Sequence, residues 1–414
     1  MDVLFIHPNF PGQFRQLVKK LDSEPGYRLF TLRDIEFAAD ATPLVNAIHF
    51  TYATPEPSGQ ETHPYVRNFE ACVKRGQQTV KRLLEEKYQG FEPAVIYVHS
   101  GWGNSLFLKD IFPNAIIIGL FEYFYHSHGA DIGFDPEFPV KLNDLFRIRT
   151  INAVPLQALE GTDIRLTPTR WQQSLYPPLY QDAIEVLHDG IDTSLVVPDP
   201  NAWLQLDNGL VLRQGDEVLT YVNRGLDPYR GFHVFMRTLP DILQARPDCQ
   251  VLIVGGDKVH YGPSPAHGKT WREVYLEEMD GRLDLSRVHF LELVSFEVYL
   301  RVLQISRAHV YLTYPFVLSW SMLEAMAAEC VVIASETAPV TEYIKHNKTG
   351  LLVPFFAQNL LASTVISVLS NPEPYRKIGK AARKHICKTL DFDQIIYPKH
   401  LAMLENIRET GRHS

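Results

Sequence analysis

The sequence is poor in cysteine: Cys72, Cys249, Cys330 and Cys387 are the four in 414 residues, and no two form a CxxC pair. A disulfide scaffold and a cysteine-built zinc site are therefore excluded, and reduced thiols in a cytoplasmic protein are the simplest expectation. No run of about eighteen apolar residues occurs, so no segment reads as a membrane-spanning helix. Positive charge is not in excess either. Forty Lys and Arg stand against 48 Asp and Glu, and the net charge of -8 argues against a nucleic-acid partner held by phosphate attraction. The opening Met1-Asp2-Val3-Leu4-Phe5-Ile6-His7 lacks a basic region and a small-residue cleavage site, and reads as a first strand. No low-complexity tract or short internal repeat is visible. What is present is the composition of a globular chain, 45% hydrophobic and 21% charged, at a length that suits two domains.

Short apolar runs alternate with helix-like stretches twice over. In the first half the spacing predicts strands at 3–7, 28–32, 47–52, 94–99, 115–120, 164–167 and 183–187, with helices at 13–21, 65–86 and 138–159 among them. In the second half it predicts strands at 218–222, 251–254, 288–291, 310–312, 331–334 and 351–353. Runs that are apolar along their whole length, such as Ala115-Ile116-Ile117-Ile118, suit parallel strands covered on both faces. The fold class is therefore α/β, with two doubly wound Rossmann-like domains facing across a cleft. The first domain is expected over 1–195 and the second over 210–392. The turn-rich stretch 188–216 reads as their linker, and a last helix over 393–414 is expected to pack back on the first domain. Ligands of such sheets bind beyond the carboxyl ends of the strands.

One segment, 308–354, carries most of the chemistry. A strand is followed by a short loop and by a helix starting near Ser319 or Ser321, both able to cap its open amides. A helix start of this kind is suited to a diphosphate. Glu324 lies in the first turns, where it can accept both hydroxyls of a ribose or merely complement the helix dipole; spacing leaves both readings open.

Leu323-Glu324-Ala325-Met326-Ala327 and Thr349-Gly350-Leu351-Leu352-Val353 resemble the donor-binding signature of the retaining glycosyltransferases of family 4, which have the GT-B fold. The resemblance implies that Glu324 binds the ribose and that backbone amides around Leu318, Ser319 and Trp320 meet the donor's sugar or phosphate. Asn223-Arg224-Gly225-Leu226-Asp227-Pro228-Tyr229-Arg230-Gly231 is a second match. It implies that Arg224 and Arg230 stabilise the leaving diphosphate, although Arg230 replaces a Lys and the spacing is one residue longer than the family's. Two solvated arginines in a turn are the plainer alternative. Gly12, in a loop after the first strand, is similar to a family glycine near donor and acceptor. The implied donor is a UDP- or GDP-hexose, the implied acceptor a saccharide or glycolipid in glycan biosynthesis, and no metal or other cofactor is expected.

The chain departs from the family in three places. Phe316 stands eight positions before Glu324, where the family has a Glu that holds sugar hydroxyls. Glu122 stands after the fifth strand, where the family often has a His beside the anomeric centre. Glu329 stands where a Gly is usual. An ionised Glu122 can stabilise positive charge at the anomeric carbon, or simply bond its own loop. Further candidates follow strands: Gly255 on the donor side, and His99, Tyr123, His126 and His128 on the acceptor side. His126, His128 and Asp131 have a metal-like spacing but lack a fourth ligand, so no metal is assigned. A basic strip on the 65–86 helix leaves peripheral membrane contact at the inner face open beside an ordinary solvated surface, and a homo-oligomer is likewise open. The competing readings are a degenerate, non-catalytic partner of an active transferase and a GT-B epimerase or phosphorylase.

Overall fold

The computed structural model describes residues 1–40, 44 and 46–411; the last three residues of the helix expected over 393–414 lie outside the described residues. The chain divides into two compact units, Met1–Gly190 with Phe392–Ser414, and Ile191–Asp391.

The first unit is built on a seven-stranded sheet. Its strands are β1 (Asp2–Ile6), β2 (Arg28–Asp34), β3 (Ile48–Tyr52), β4 (Val95–His99), β5 (Ile116–Leu120), β6 (Ile164–Thr167) and β7 (Glu185–Val186), in the spatial order β3-β2-β1-β4-β5-β6-β7. Every neighbouring pair is parallel. The reason lies in strands such as β1, whose side chains are apolar on both faces. Val3 and Phe5 enter one core with Leu17 and Leu21, and Leu4 and Ile6 enter the other with Leu83 and Phe112. Each fully buried side chain of this kind stabilises by about 1.5–3 kcal/mol. The helix Tyr397–Thr410 returns from the far end of the chain and places Met403, Leu404 and Ile407 in the first of these cores.

In place of the single helix expected over 138–159 there are two, Leu142–Ile151 and Ala153–Glu160. Pro155 has no N–H and its ring clashes with the carbonyl one turn back, which favours a break just before it. Asn152 occupies the break, accepting from the Tyr125 amide at 2.9 Å and donating to the Tyr125 carbonyl at 2.8 Å.

Residues 191–216 do not form a loose linker. They include an antiparallel ribbon of β8 (Trp203–Gln205) and β9 (Val211–Arg213), turning at Asn208-Gly209, and Ala202, Leu206 and Leu212 enter the core of the second unit. The main sheet there comprises β10 (Val218–Gly225), β11 (Gln250–Gly256), β12 (Val288–Phe290), β13 (Ala308–Tyr311), β14 (Val332–Ser335) and β15 (Leu351–Val353), ordered β12-β11-β10-β13-β14-β15. Both sheets thus reverse direction beside their first strand, between β1 and β4 and between β10 and β13. That reversal opens a crevice at the carboxyl ends of those strands. Among the described residues no helix is long and apolar enough to cross a membrane.

Candidate active site

At the reversal in the first unit, His7 follows β1 and His99 ends β4, with their ring centroids 5.5 Å apart. Gly12 makes the loop between them possible. Its φ is +50°, and a Cβ there would lie 2.6 Å from the His7 ring. Beyond it, Gln13 Nε2 donates to Glu122 Oε1 at 2.7 Å. His99 Nδ1 accepts from the Gly101 amide at 3.1 Å, which leaves its Nε2–H to donate to Glu122 Oε2 at 3.3 Å. The backbone of Glu122 is fixed as well: Gln172 Nε2 donates to its carbonyl at 2.6 Å, and Thr169 caps the helix that carries Gln172.

The electrostatics follow from burial and these bonds. Burial, aided by His99, pushes His7 down to about 3, so its imidazole is neutral. Burial drives the Glu122 carboxyl the other way, but the His99 hydrogen bond and charge and the Gln13 bond outweigh it and hold the group below the ordinary glutamate range. Its side chain keeps 24% exposure. Glu122 is therefore an ionised, rigidly held carboxylate that solvent can reach.

The other acceptor-side candidates do not join it. Tyr123 is buried and donates to Asp131 Oδ1 at 2.8 Å, so its hydroxyl is committed inside the unit. His126 Nε2 bonds the Leu175 carbonyl at 2.6 Å, and His128 is exposed. The basic strip on the Arg67–Lys87 helix is largely tied to the chain: Arg67 to the Thr62 and Gln60 carbonyls, Arg75 to that of Trp102, and Arg82 to Glu86.

In the second unit, β10 runs out through Arg224, which is exposed. A Cβ on Gly225 would lie 2.8 Å from the Lys258 carbonyl and 2.7 Å from His260, so glycine lets the loops after β10 and β11 meet. Burial, and then the charges of Arg224 and Lys258, lower the pKa of His260. Arg224 and Lys258, both exposed, thus stand on the two loops that meet here. At Gly255 the absent Cβ allows a close approach to the Asn223 carbonyl and Leu226 of its own chain.

Arg230 is buried, and its Nη1 donates to Thr313 Oγ1 at 2.9 Å, the Val317 carbonyl at 2.8 Å and the Tyr311 hydroxyl at 3.3 Å. The solvated-turn alternative fails here, and Arg230 clamps the loop after β13 in addition to any ligand role. Phe316 packs at 5.0 Å from Tyr261 and 5.5 Å from Tyr229, with the Arg230 guanidinium over its ring at 5.7 Å. The position thus carries an aromatic packing group.

The helix Trp320–Ala327 follows, with Leu318, Ser319 and Trp320 half-buried at its start. Ser319 alone caps it, accepting from the Ser321 amide at 3.3 Å, whereas Ser321 donates to the Val222 carbonyl. The Ser319 amide is itself engaged by the Tyr311 hydroxyl at 2.8 Å. Glu324 lies beyond the first turn, where a dipole effect has faded. It is buried, and Tyr299 Oη donates to its Oε2 at 2.5 Å. Glu329 adopts φ +65° just past the helix end, which accounts for a glycine at this position elsewhere in the family.

Two family models match the chain: "Glycosyl transferase family 4 group" over residues 35–196 and "Glycosyl transferases group 1" over residues 205–385. The chain is a family 4 glycosyltransferase. This transferase is 25% identical over 293 residues to the GDP-mannose-dependent alpha-(1-6)-phosphatidylinositol monomannoside mannosyltransferase of Mycobacterium tuberculosis, a match covering 68% of this chain and 69% of that one. Its fold is GT-B. It is similar to sucrose-phosphate synthase from Thermosynechococcus elongatus, with a TM-score of 0.72 at 17% identity over 99% of this chain and 100% of that one. It is also similar to Anabaena HepE in complex with UDP and glucose, with a TM-score of 0.67 at 14% identity over 98% of this chain and 100% of that one.

Sequence reasoning missed His7, Gln13, Asp227, Lys258, His260 and Tyr299 of the transferase. His7 was within reach, because it ends an apolar strand as His99 does. Tyr299 was not, because only the fold brings the helix Phe296–Ile305 beside Glu324.

Proposed function

We propose that this transferase moves a hexosyl group from a UDP- or GDP-hexose to a hydroxyl of a saccharide or glycolipid, with retention at the anomeric carbon and without a metal. The observation that carries the reading is the meeting of the loops after β10 and β11, where Gly225 lies against the Lys258 carbonyl and the His260 ring and the side chains of Arg224 and Lys258 are both exposed. Two cations there suit a leaving diphosphate. Glu324, steadied by Tyr299, is suited to accept the two ribose hydroxyls. The mannosyltransferase of M. tuberculosis is named for GDP-mannose and HepE was solved with UDP, which supports a nucleoside-diphosphate donor and leaves the base to experiment.

In such a retaining transfer the acceptor enters on the face the diphosphate leaves, and a diphosphate oxygen takes the acceptor's proton. Glu122 supplies negative charge as the anomeric carbon becomes cationic. Gln13 and His99 each occupy one of its oxygens, which favours this electrostatic duty over covalent attack.

Thermal unfolding with UDP, GDP, ADP, TDP and CDP tests the donor half. A nucleotide at a hundred times its Kd adds about 2.7 kcal/mol of stability. One base should raise the midpoint, and Arg224→Ala and Glu324→Ala should each remove the rise. No shift with any nucleotide refutes the donor reading. Turnover of the matching nucleotide sugar then tests Glu122: full activity in Glu122→Ala disposes of its role. A second reading, a non-catalytic partner of another transferase, is favoured by Phe316, whose ring packs where the family has a sugar-binding carboxylate. It predicts nucleotide binding with no turnover.

A further inference from the structure

The cationic mouth has a buried acid behind it. Asp227 follows β10, and its backbone carbonyl accepts from the Arg230 amide at 3.1 Å, forming the turn Pro228–Arg230. Its side chain is 0% exposed, and neither carboxylate oxygen has a hydrogen-bonding partner. The amides of Arg230, His260 and Tyr261 lie near enough to favour the ionised form, yet none reaches hydrogen-bond geometry. Both amide atoms of Asn223 are likewise buried without a partner. The charge that most favours an ionised Asp227 is the Arg230 guanidinium. A buried carboxylate in this position depends on the positive potential around it.

We infer that Asp227 takes up a proton when a nucleoside-diphosphate sugar occupies the mouth, so that Asp227 is a positioning residue that adjusts the site's charge to its ligand. The inference rests on the donor reading above. A bound diphosphate brings two negative charges to the mouth and weakens the positive potential of Arg230, the charge that holds Asp227 ionised, which favours the neutral acid. The groups facing it are cationic or neutral: Arg230 from its own turn, the His260 and Tyr261 amides from the loop after β11, and Tyr221 from β10. Arg224 and Lys258 lie at the rim beside His260. Burial already pushes Asp227 up to about 6, against the partial opposition of Arg230 and the nearby amides. The free site is therefore mostly ionised at pH 7, and a further rise on binding moves it toward the neutral acid. No covalent step is involved. Solvent supplies the proton and receives it back on release.

Titration calorimetry of the full chain with UDP-glucose and with GDP-mannose, in PIPES and in Tris at pH 7, measures the effect. These ligands carry a doubly esterified diphosphate with no group titrating between pH 6 and 8, so a proton taken up belongs to the protein. The expected outcome is a net uptake of protons on binding, at most one per ligand bound. It should vanish in Asp227→Asn and persist in His260→Gln. In the unaltered protein the Kd should rise up to about tenfold per pH unit between pH 6 and 8, a dependence that a purely structural Asp227 does not produce. Binding with no proton uptake and a flat pH profile overturns the inference while leaving the donor reading intact. Uptake that survives in Asp227→Asn, or is lost in His260→Gln, also overturns it. Failure of both sugars to bind removes the donor reading and this inference together. If Asp227→Asn does not fold, the pH profile of the unaltered protein and the His260→Gln result decide.

Discussion

Replacing Glu329 with glycine should make the second unit more stable. The helix Trp320–Ala327 ends in a complete Schellman turn: the Glu329 amide donates to the Met326 carbonyl at 3.2 Å, and the Cys330 amide donates to that of Ala325 at 3.0 Å. This turn puts Glu329 at φ +65°, a left-handed conformation that costs a side-chain-bearing residue about 1–2 kcal/mol. The turn cannot relax easily, because Gly379 lies against it so closely that a Cβ there would fall 2.2 Å from the Glu329 carbonyl oxygen. Glycine removes the left-handed cost but loosens the unfolded chain by about 0.4–1 kcal/mol. The net gain is about 0.5–1 kcal/mol, which moves the midpoint of a unit this size by roughly 1–4 °C. Differential scanning calorimetry of Glu329→Gly beside Glu329→Ala is the assay. Alanine keeps the strained φ and should gain nothing. An unchanged or lowered midpoint for the glycine variant, or an equal gain for alanine, refutes the argument.

Other outcomes follow from the same geometry. Gly12→Ala should drive the His7 ring out of place and cost the first unit about 1–3 kcal/mol; turnover should fall in activity assays while nucleotide binding stays intact. Tyr299→Phe removes the hydroxyl that steadies Glu324, and should weaken nucleotide binding by about 1.5 kcal/mol, roughly tenfold, without changing the base preference. Acid should destabilise the chain earlier than its carboxylates alone require. Burial holds His7 and His309 down to about 3 and His188 and His400 down to about 4. The unfolded chain binds these protons below about pH 6.5 while the native one does not, so stability is complete above that pH and falls as pH drops toward 4. Each histidine contributes up to about 1.4 kcal/mol per pH unit, and urea midpoints measured from pH 7.5 to 4.5 should show the decline.

The alternation of apolar runs with helical stretches was readable because parallel strands are buried on both faces, as Val95–His99 is along its whole length and Ile116–Leu120 is from Ile117 on. Elements whose identity depends on partners were not readable. β8 and β9 have three residues each, too few for a period to show, and they are strands only because they pair. The split at Asn152 was announced by Pro155, a signal that the helical pattern around it masked. In the site, Glu122 stood out because its position follows a strand, but the residues that fix its charge state, Gln13 and His99, come from 109 and 23 positions away. The double duty of Arg230 has the same origin: the atoms its Nη1 holds belong to a loop more than eighty residues downstream.

The return of the helix Tyr397–Thr410 to the first unit has a consequence for synthesis. Chains emerge from the ribosome N-terminus first, and domains generally fold as units in that order. Here the second unit is one unbroken stretch, Ile191–Asp391, and can close as soon as it has emerged. The first unit must wait. The core formed by Val3, Phe5 and Leu17 lacks Met403, Leu404 and Ile407 until the helix Tyr397–Thr410 is made. The first unit is thus completed after the second, and a stop shortly before Tyr397 would leave an intact second unit attached to a first one with its core uncovered.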